Sequence, residues 1–253
     1  MRISGICCWN TVPEWKDDEV PYRIANNGYP TILCNVNNFY WDMTYDVHPD
    51  ERGHNWGGSV DEHKSFAMLP YHVYRSVRAG LDESPVHLEL AEEGKTVLTE
   101  QGRASIVGVQ GQLWAETIRG PQWVEYYMFP KMFGLIERGW NAHPDFEELR
   151  GEEEELVFHK ELAHYYRKLG EKEFPYLAQS DVNFRLPYPG LCLRDGMLYA
   201  NTPIYGAEIR YTTDGTVPRE DSALWTEPVS CVSSCIQAKL FYLGKQSVTA
   251  VMQ

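Results

Sequence analysis

Short apolar runs alternate with longer, helix-like segments over the first 140 residues. Residues 3–9 (ISGICCW), 30–36 (PTILCNV) and 105–110 (SIVGVQ) are apolar runs of strand length. Residues 13–27 (PEWKDDEVPYRIANN) open on a proline, carry acids early and stop before Gly28. They read as a helix start and stop, with Pro21 as an interruption. Residues 59–78 read as loop and broken helix around Pro70, and residues 121–139 as a strongly apolar helix kinked at Pro130. Strand followed by helix, three times over, predicts parallel βα units. In such units the polar and aromatic residues just past each strand's C-terminal end are the functional candidates. Here they are Trp9-Asn10, the stretch Asn37-Asn38-Phe39-Tyr40-Trp41-Asp42, and Trp114-Ala115-Glu116. Each of the three ends carries a Trp or Tyr with a polar neighbour.

The pattern then changes twice. Residues 145–170 (DFEELRGEEEELVFHKELAHYYRKLG) are expected to be helical, with the EEEE run a solvated face; His159 and His164 are five apart and do not share a helix face. Residues 185–253 hold no good helix. They show short alternating segments with turns at Asp195-Gly196, Asp214-Gly215 and Leu243-Gly244-Lys245, which predicts a small antiparallel sandwich. The boundary is placed near residues 171–187, around Pro175, Pro187 and Pro189.

Composition narrows the function. The formal charge of −13 argues against a nucleic-acid surface, which needs clustered Lys and Arg. Eight Trp and 16 Tyr suit either sugar stacking or ordinary cores. The six cysteines form no CxxC pair; Cys7, Cys8 and Cys34 lie in apolar runs and read as buried free thiols, and a Cys231–Cys235 bridge is disfavoured by strand geometry. The N-terminal apolar stretch is too short for a signal peptide, and no run reaches the roughly 18 apolar residues of a membrane span.

Several segments, in order, resemble the C-terminal half of the catalytic barrel of glycoside hydrolase family 20, the β-N-acetylhexosaminidases. VQGQLWAET resembles the family's last barrel strand with its Trp-x-Glu, and NNFYWDM the loop after strand seven with its Tyr-x-Asp. HNWGGSVDEHKSF resembles the Trp-Gly-Gly segment that follows. VEYYMFPKMFGLIERGWN resembles the last barrel helix, and ICCW the end of strand six. IRYTTDGTVPREDSALWTEPV resembles the C-terminal β-sandwich of chitobiase-like members. The resemblance implies α/β plus all-β architecture: strands 6–8 of a (β/α)8 TIM barrel over residues 1–172, then an Ig/fibronectin-like sandwich over 185–253. It implies hydrolysis of terminal β-linked N-acetylglucosamine or N-acetylgalactosamine, with the substrate's own acetamido oxygen as nucleophile. It implies Trp9 as a wall of the acetamido box and Trp114 as the floor under the sugar ring. Tyr40 would donate a hydrogen bond to the acetamido oxygen, while Asp42 and Glu116 would accept hydrogen bonds from ring hydroxyls. Trp41 is expected to face away and pack. Trp56 and Asn55 fit either a rim or loop packing; Trp140 is read as structural, and Tyr211 and Trp225 as core of the sandwich.

The family's adjacent catalytic Asp-Glu pair has no match. Asp18-Glu19, Asp50-Glu51, Asp61-Glu62 and Asp82-Glu83 are the Asp-Glu dipeptides, and none follows an apolar strand. Three strands cannot close a barrel. The chain is therefore expected to be the tail of a longer enzyme, inactive alone, with the rest of the barrel as a partner and no cofactor, metal, nucleic acid or membrane. A periplasmic or secreted location is expected of the full-length enzyme. Two alternatives stay open: a non-catalytic carbohydrate-binding or domain-packing module, and an unrelated βα protein with chance Trp placement.

Overall fold

The computed structural model describes residues 5–9, 11–231 and 235–252; Asn10, one of the strand-end candidates, lies outside the described residues. The chain divides into two compact units, residues 1–162 and 163–253.

The first unit is built on three parallel strands, β1 (Ile6–Cys8), β2 (Thr31–Leu33) and β3 (Ile106–Val109), in the order β1-β2-β3. Helices follow them in the expected places. Helix α1 (Val20–Asn26) starts later than the pattern suggested. A 3-10 turn occupies Pro13–Trp15, and Pro21 falls in the first turn of α1, where its missing N–H has no partner to lose. Gly28 ends the segment with a φ of +81°. Strand β2 is shorter than residues 30–36, because Val36 already starts a four-residue helix, α2 (Val36–Phe39). Helix α3 (Glu62–Phe66) and a 3-10 turn at Val73–Ser76 flank Pro70. Helix α4 (Glu100–Ser105) has no apolar periodicity to announce it. Thr99 caps it by accepting the Gly102 N–H, and the segment continues directly into β3.

The apolar stretch 121–139 is two helices, α5 (Pro121–Met128) and α6 (Lys131–Trp140), meeting at a cis Phe129–Pro130 peptide. Gly134 of α6 lets α3 come close: a Cβ there would lie 2.5 Å from the Phe66 backbone nitrogen. One core cluster joins Tyr22, Leu33, Phe39, Met68, Val73 and Tyr74; a second joins Val12, Val36, Tyr40, Met43 and Val60. The sheet's other face is open. Cys7 and Val107 are exposed, and a Cβ on Gly108 would meet nothing within 4 Å. Cys7 therefore departs from the buried-thiol expectation. Cys8 and Cys34 meet it, burial pushing their thiols up to about 11 and about 12. All six cysteines are free.

Helix α7 (Gly151–Lys168) departs from expectation in one respect. Glu152, Glu153 and Glu155 face solvent, but Glu154 is buried between two arginines, at 3.1 Å from Arg75 and 2.6 Å from Arg78. The EEEE run is thus not a uniformly solvated face. Trp140, read as structural, is 91% exposed at the end of α6.

In the second unit a π-turn (Leu169–Glu173) leads into α8 (Phe174–Gln179), with Pro175 in its first turn. Eight strands follow: β4 (Gly190–Arg194), β5 (Met197–Asn201), β6 (Glu208–Thr212), β7 (Ala223–Leu224), β8 (Val229–Ser230), β9 (Gln237–Tyr242), β10 (Lys245–Gln246) and β11 (Ala250–Val251). They form two antiparallel sheets, β4-β5-β8 and β10-β9-β6-β7 with β11 on β9. Leu198 from the first sheet, Tyr211 from the second, and Cys231 and Ile236 share one apolar cluster. The two-residue turns Asp195-Gly196 and Leu243-Gly244 both have positive φ at each position, as tight hairpins require.

Candidate active site

Chain pairing continues past β2 and β3 and brings their ends together. Trp41 donates its backbone N–H to the Gln112 carbonyl at 2.8 Å, Gln112 donates to the Phe39 carbonyl at 2.8 Å, and Tyr40 bridges Gln112 in parallel. Side chains alternate along such a segment. Trp41 turns inward onto Gly111, where a Cβ would sit 2.3 Å from the indole, so only glycine fits. Tyr40 and Asp42 take the other side. The Tyr40 and Trp114 rings lie 6.3 Å apart, tilted by 49°. Tyr40 also meets Trp56 edge-on at 5.8 Å, and Trp56 stacks on Trp15 at 5.6 Å. Trp15, Trp56 and Trp114 are each nearly half exposed. The result is a continuous aromatic strip at the C-terminal end of the sheet.

Polar groups are set into this strip. Tyr40 is buried, which raises its hydroxyl above the usual value, opposed by a hydrogen bond from the Trp114 side chain; it stays protonated and able to donate. Asp42 is buried too. Burial raises its carboxyl, opposed by the Trp114 backbone N–H and the Lys131 charge and assisted by the Glu116 charge. Its Oδ1 has no hydrogen-bond partner among the described residues. Glu116 is exposed. Trp9 stands at the end of β1, at the same end of the sheet, 52% exposed.

The structure thus brings Tyr40, Asp42, Trp114 and Glu116 together and places Trp9 at the same sheet end. Sequence reasoning left Trp56 undecided and passed over Trp15, Lys131 and Tyr127. Trp15 sits in a segment read as helix, and nothing local marks its stacking on Trp56, 41 positions later. The ammonium of Lys131, fully buried, donates to the Trp41 and Met43 carbonyls at 2.9 and 2.7 Å. Tyr127 shares a 3.0 Å hydrogen bond with Thr117, next to Glu116.

The Asp-Glu dipeptides are engaged elsewhere. Asp18 pairs with Lys95 at 2.9 Å, and Glu19 accepts the Thr96 N–H at 2.9 Å. Glu51 accepts the Tyr126 hydroxyl at 2.6 Å. Asp61 caps α3 through the Lys64 N–H, and Glu83 pairs with Lys64 at 2.6 Å. Among the described residues no group of three or more His, Cys, Asp or Glu is placed to hold a metal ion, and no helix is long and apolar enough to cross a membrane.

Residues 8–143, more than half of the chain, match the family model for the glycosyl hydrolase family 20 catalytic domain. The chain belongs to glycosyl hydrolase family 20. Residues 173–243 match the chitobiase/beta-hexosaminidase C-terminal domain. A beta-hexosaminidase from Vibrio vulnificus is 29% identical over 231 residues, covering 84% of this chain and 26% of that relative. The N,N'-diacetylchitobiase of Vibrio harveyi is 29% identical over 211 residues, covering 79% of this chain and 23% of its own length. The chain therefore spans about a quarter of the length of these curated relatives. A crystal structure of a family 20 exo beta-N-acetylglucosaminidase from Vibrio harveyi with N-acetylglucosamine aligns at a TM-score of 0.43 and 22% identity, covering 72% of this chain and 22% of that one. Beta-hexosaminidases and a chitobiase stand among the relatives of this family 20 chain.

Proposed function

We propose that this chain carries the Tyr40–Asp42–Trp114–Glu116 half of a β-N-acetylhexosaminidase site and does not hydrolyse glycosides by itself. The observation that carries the reading is the meeting of Tyr40, Asp42 and Trp114 at one sheet end: an exposed indole face, a protonated phenol and a buried carboxylate oxygen with no partner. A terminal N-acetylhexosamine offers the matching groups. Its apolar ring face stacks on Trp114, with Trp9 as a side wall of the acetamido box. Tyr40 donates to the acetamido oxygen and holds it beneath the anomeric carbon, so that this oxygen acts as the nucleophile of a substrate-assisted, retaining reaction. Asp42 and Glu116 accept hydrogen bonds from ring hydroxyls.

The general acid and its partner Asp would come from outside this constellation, since the chain's own Asp-Glu dipeptides are committed to ion pairs, caps and turns. The open sheet face agrees with a barrel represented here by three of its strands, because parallel sheets are normally covered on both faces. On this reading residues 1–172 are the partial barrel, residues 185–253 the sandwich, and the partner is the remainder of the barrel. The purified chain is expected not to turn over a chromogenic N-acetyl-β-glucosaminide. Turnover that disappears in Glu116→Ala would overturn the claim. Saturation-transfer NMR with N-acetylglucosamine is expected to show contact that Trp114→Ala removes.

A second reading, a carbohydrate-binding or domain-packing module without catalysis, is favoured by one feature of the second unit. An open groove of about 640 Å³ there is lined by Arg219, Glu220, Lys239, Phe241 and Gln246. Sugar contacts that persist in Trp114→Ala and vanish in Phe241→Ala would select it.

A further inference from the structure

Asp42 lies in a turn whose two flanking carbonyls, those of Trp41 and Met43, both accept hydrogen bonds from the Lys131 ammonium. That ammonium is fully buried and lies 3.8 Å over the Tyr45 ring and 5.8 Å from the Tyr127 ring centre. Burying an ammonium is costly, and an apolar side chain of similar length would fill the space without that cost. What the cation adds is a grip on both sides of one residue, Asp42. The same helical hairpin grips the other acidic loop. Tyr127, on α5, shares its hydroxyl with Thr117, adjacent to Glu116, and Tyr45 donates its hydroxyl to the Tyr126 carbonyl at 2.9 Å. Both carboxylate-bearing loops are therefore fastened to one short stretch, Tyr126 to Lys131.

We propose that Lys131 is a positioning residue that fixes the Asp42 carboxylate relative to Glu116 by clamping the Trp41 and Met43 carbonyls on either side of it. Its functional meaning rests on the reading of Asp42 and Glu116 as acceptors of sugar hydroxyls: their separation then sets which pair of ring hydroxyls fits. The groups that face Asp42 are Glu116 and the Trp114 N–H from the segment after β3, Lys131 from α6, Tyr127 from α5 and Tyr40 from its own segment. Among them Lys131 is the cation, and its charge opposes the rise of the Asp42 carboxyl that burial, with the Glu116 charge, produces.

The test needs no sugar, so its failure is separable from failure of the sugar-binding reading, which Trp114→Ala addresses. In the isotope-labelled chain, the Asp42 carboxyl carbon and the Lys131 Nζ are followed through a pH titration by NMR. Lys131→Met is expected to move the Asp42 midpoint upward, and Lys131→Arg to return it toward the wild-type position. An unchanged Asp42 midpoint in folded Lys131→Met would reduce Lys131 to a space filler and overturn the proposal. If Lys131→Met does not fold, the wild-type chain decides. The Lys131 Nζ signal must inflect at the Asp42 midpoint and lose that inflection in Asp42→Asn; a flat Nζ trace overturns the proposal.

Discussion

Residues 1–162 bury Asp18, Asp42, Glu62, Arg75, Lys131, Arg138, Glu147 and Glu154, whereas among the described residues of 163–253 Arg185 is the one buried charged side chain. The difference follows from the backbone each unit must satisfy. The second unit's antiparallel ladders pair their own N–H and C=O groups, so Leu198, Ile209, Ile236 and Leu240 can pack as an ordinary apolar interior. The first unit has long irregular connections around a small sheet, and their buried carbonyls need donors. Arg75 supplies them to the Glu147 and Leu149 carbonyls, and Lys131 to those of Trp41 and Met43. Buried cations are thus the device by which non-repetitive chain is held still, and the candidate site is made of such chain.

The strongest way to break this comparison is to remove the anion that balances the arginines. Glu154→Ala leaves the buried Arg75 and the half-buried Arg78 without their shared partner and is expected to cost about 4 kcal/mol, read as a lowered urea midpoint. A loss well under 1 kcal/mol would mean that the buried charges of the first unit are incidental. Next in size is its counterpart in the second unit. Leu198→Ala, at the centre of the apolar cluster, is expected to cost about 3 kcal/mol through lost burial and a cavity. That loss should not change with added salt, since no charge is involved; a salt-dependent loss would erase the distinction between the units.

The same contrast explains what could be read from the sequence. The turns at Asp195-Gly196 and Leu243-Gly244 were legible because a tight hairpin needs residues that tolerate positive φ, a local demand. The three parallel strands were legible as apolar runs, and the aromatic and acidic residues at their ends could be singled out because strand ends in βα units face one rim. Glu154 was not legible: its neighbours in the EEEE run look the same, and its arginines lie more than 70 positions earlier. Lys131 carried no mark within the apolar stretch 121–139, and its burial depends on carbonyls about 90 positions away. Helix α4 escaped because polar residues and Gly102 carry no periodic signal, although its Thr99 cap was present to be found. Trp140 misled in the other direction: a large aromatic at the end of a helix suggested packing, yet it is almost wholly exposed.

The smallest effect sharpens the comparison at the site itself. Burial raises the Asp42 carboxyl, with the Trp114 N–H and Lys131 opposing. A carboxyl whose folded value lies above its unfolded one adds stability below the unfolded value, roughly pH 4, and loses that contribution as pH rises through the folded value. At neutral pH the Asp42 charge therefore works against folding. Asp42→Asn keeps the shape and removes the charge. It is expected to raise the urea midpoint slightly at pH 7, with the gain shrinking on acidification and gone below pH ~4, where wild-type Asp42 is protonated as well. The same substitution should weaken N-acetylglucosamine contact in saturation-transfer NMR, because the acceptor at Oδ1 becomes part of a neutral amide. A variant less stable than wild type at pH 7 would make Asp42 a structural anion that Lys131 requires. A variant more stable but weaker in binding would mark Asp42 as a charge kept for a ligand. The second unit, with no buried carboxylate among its described residues, offers no position at which stability and binding could be opposed in this way.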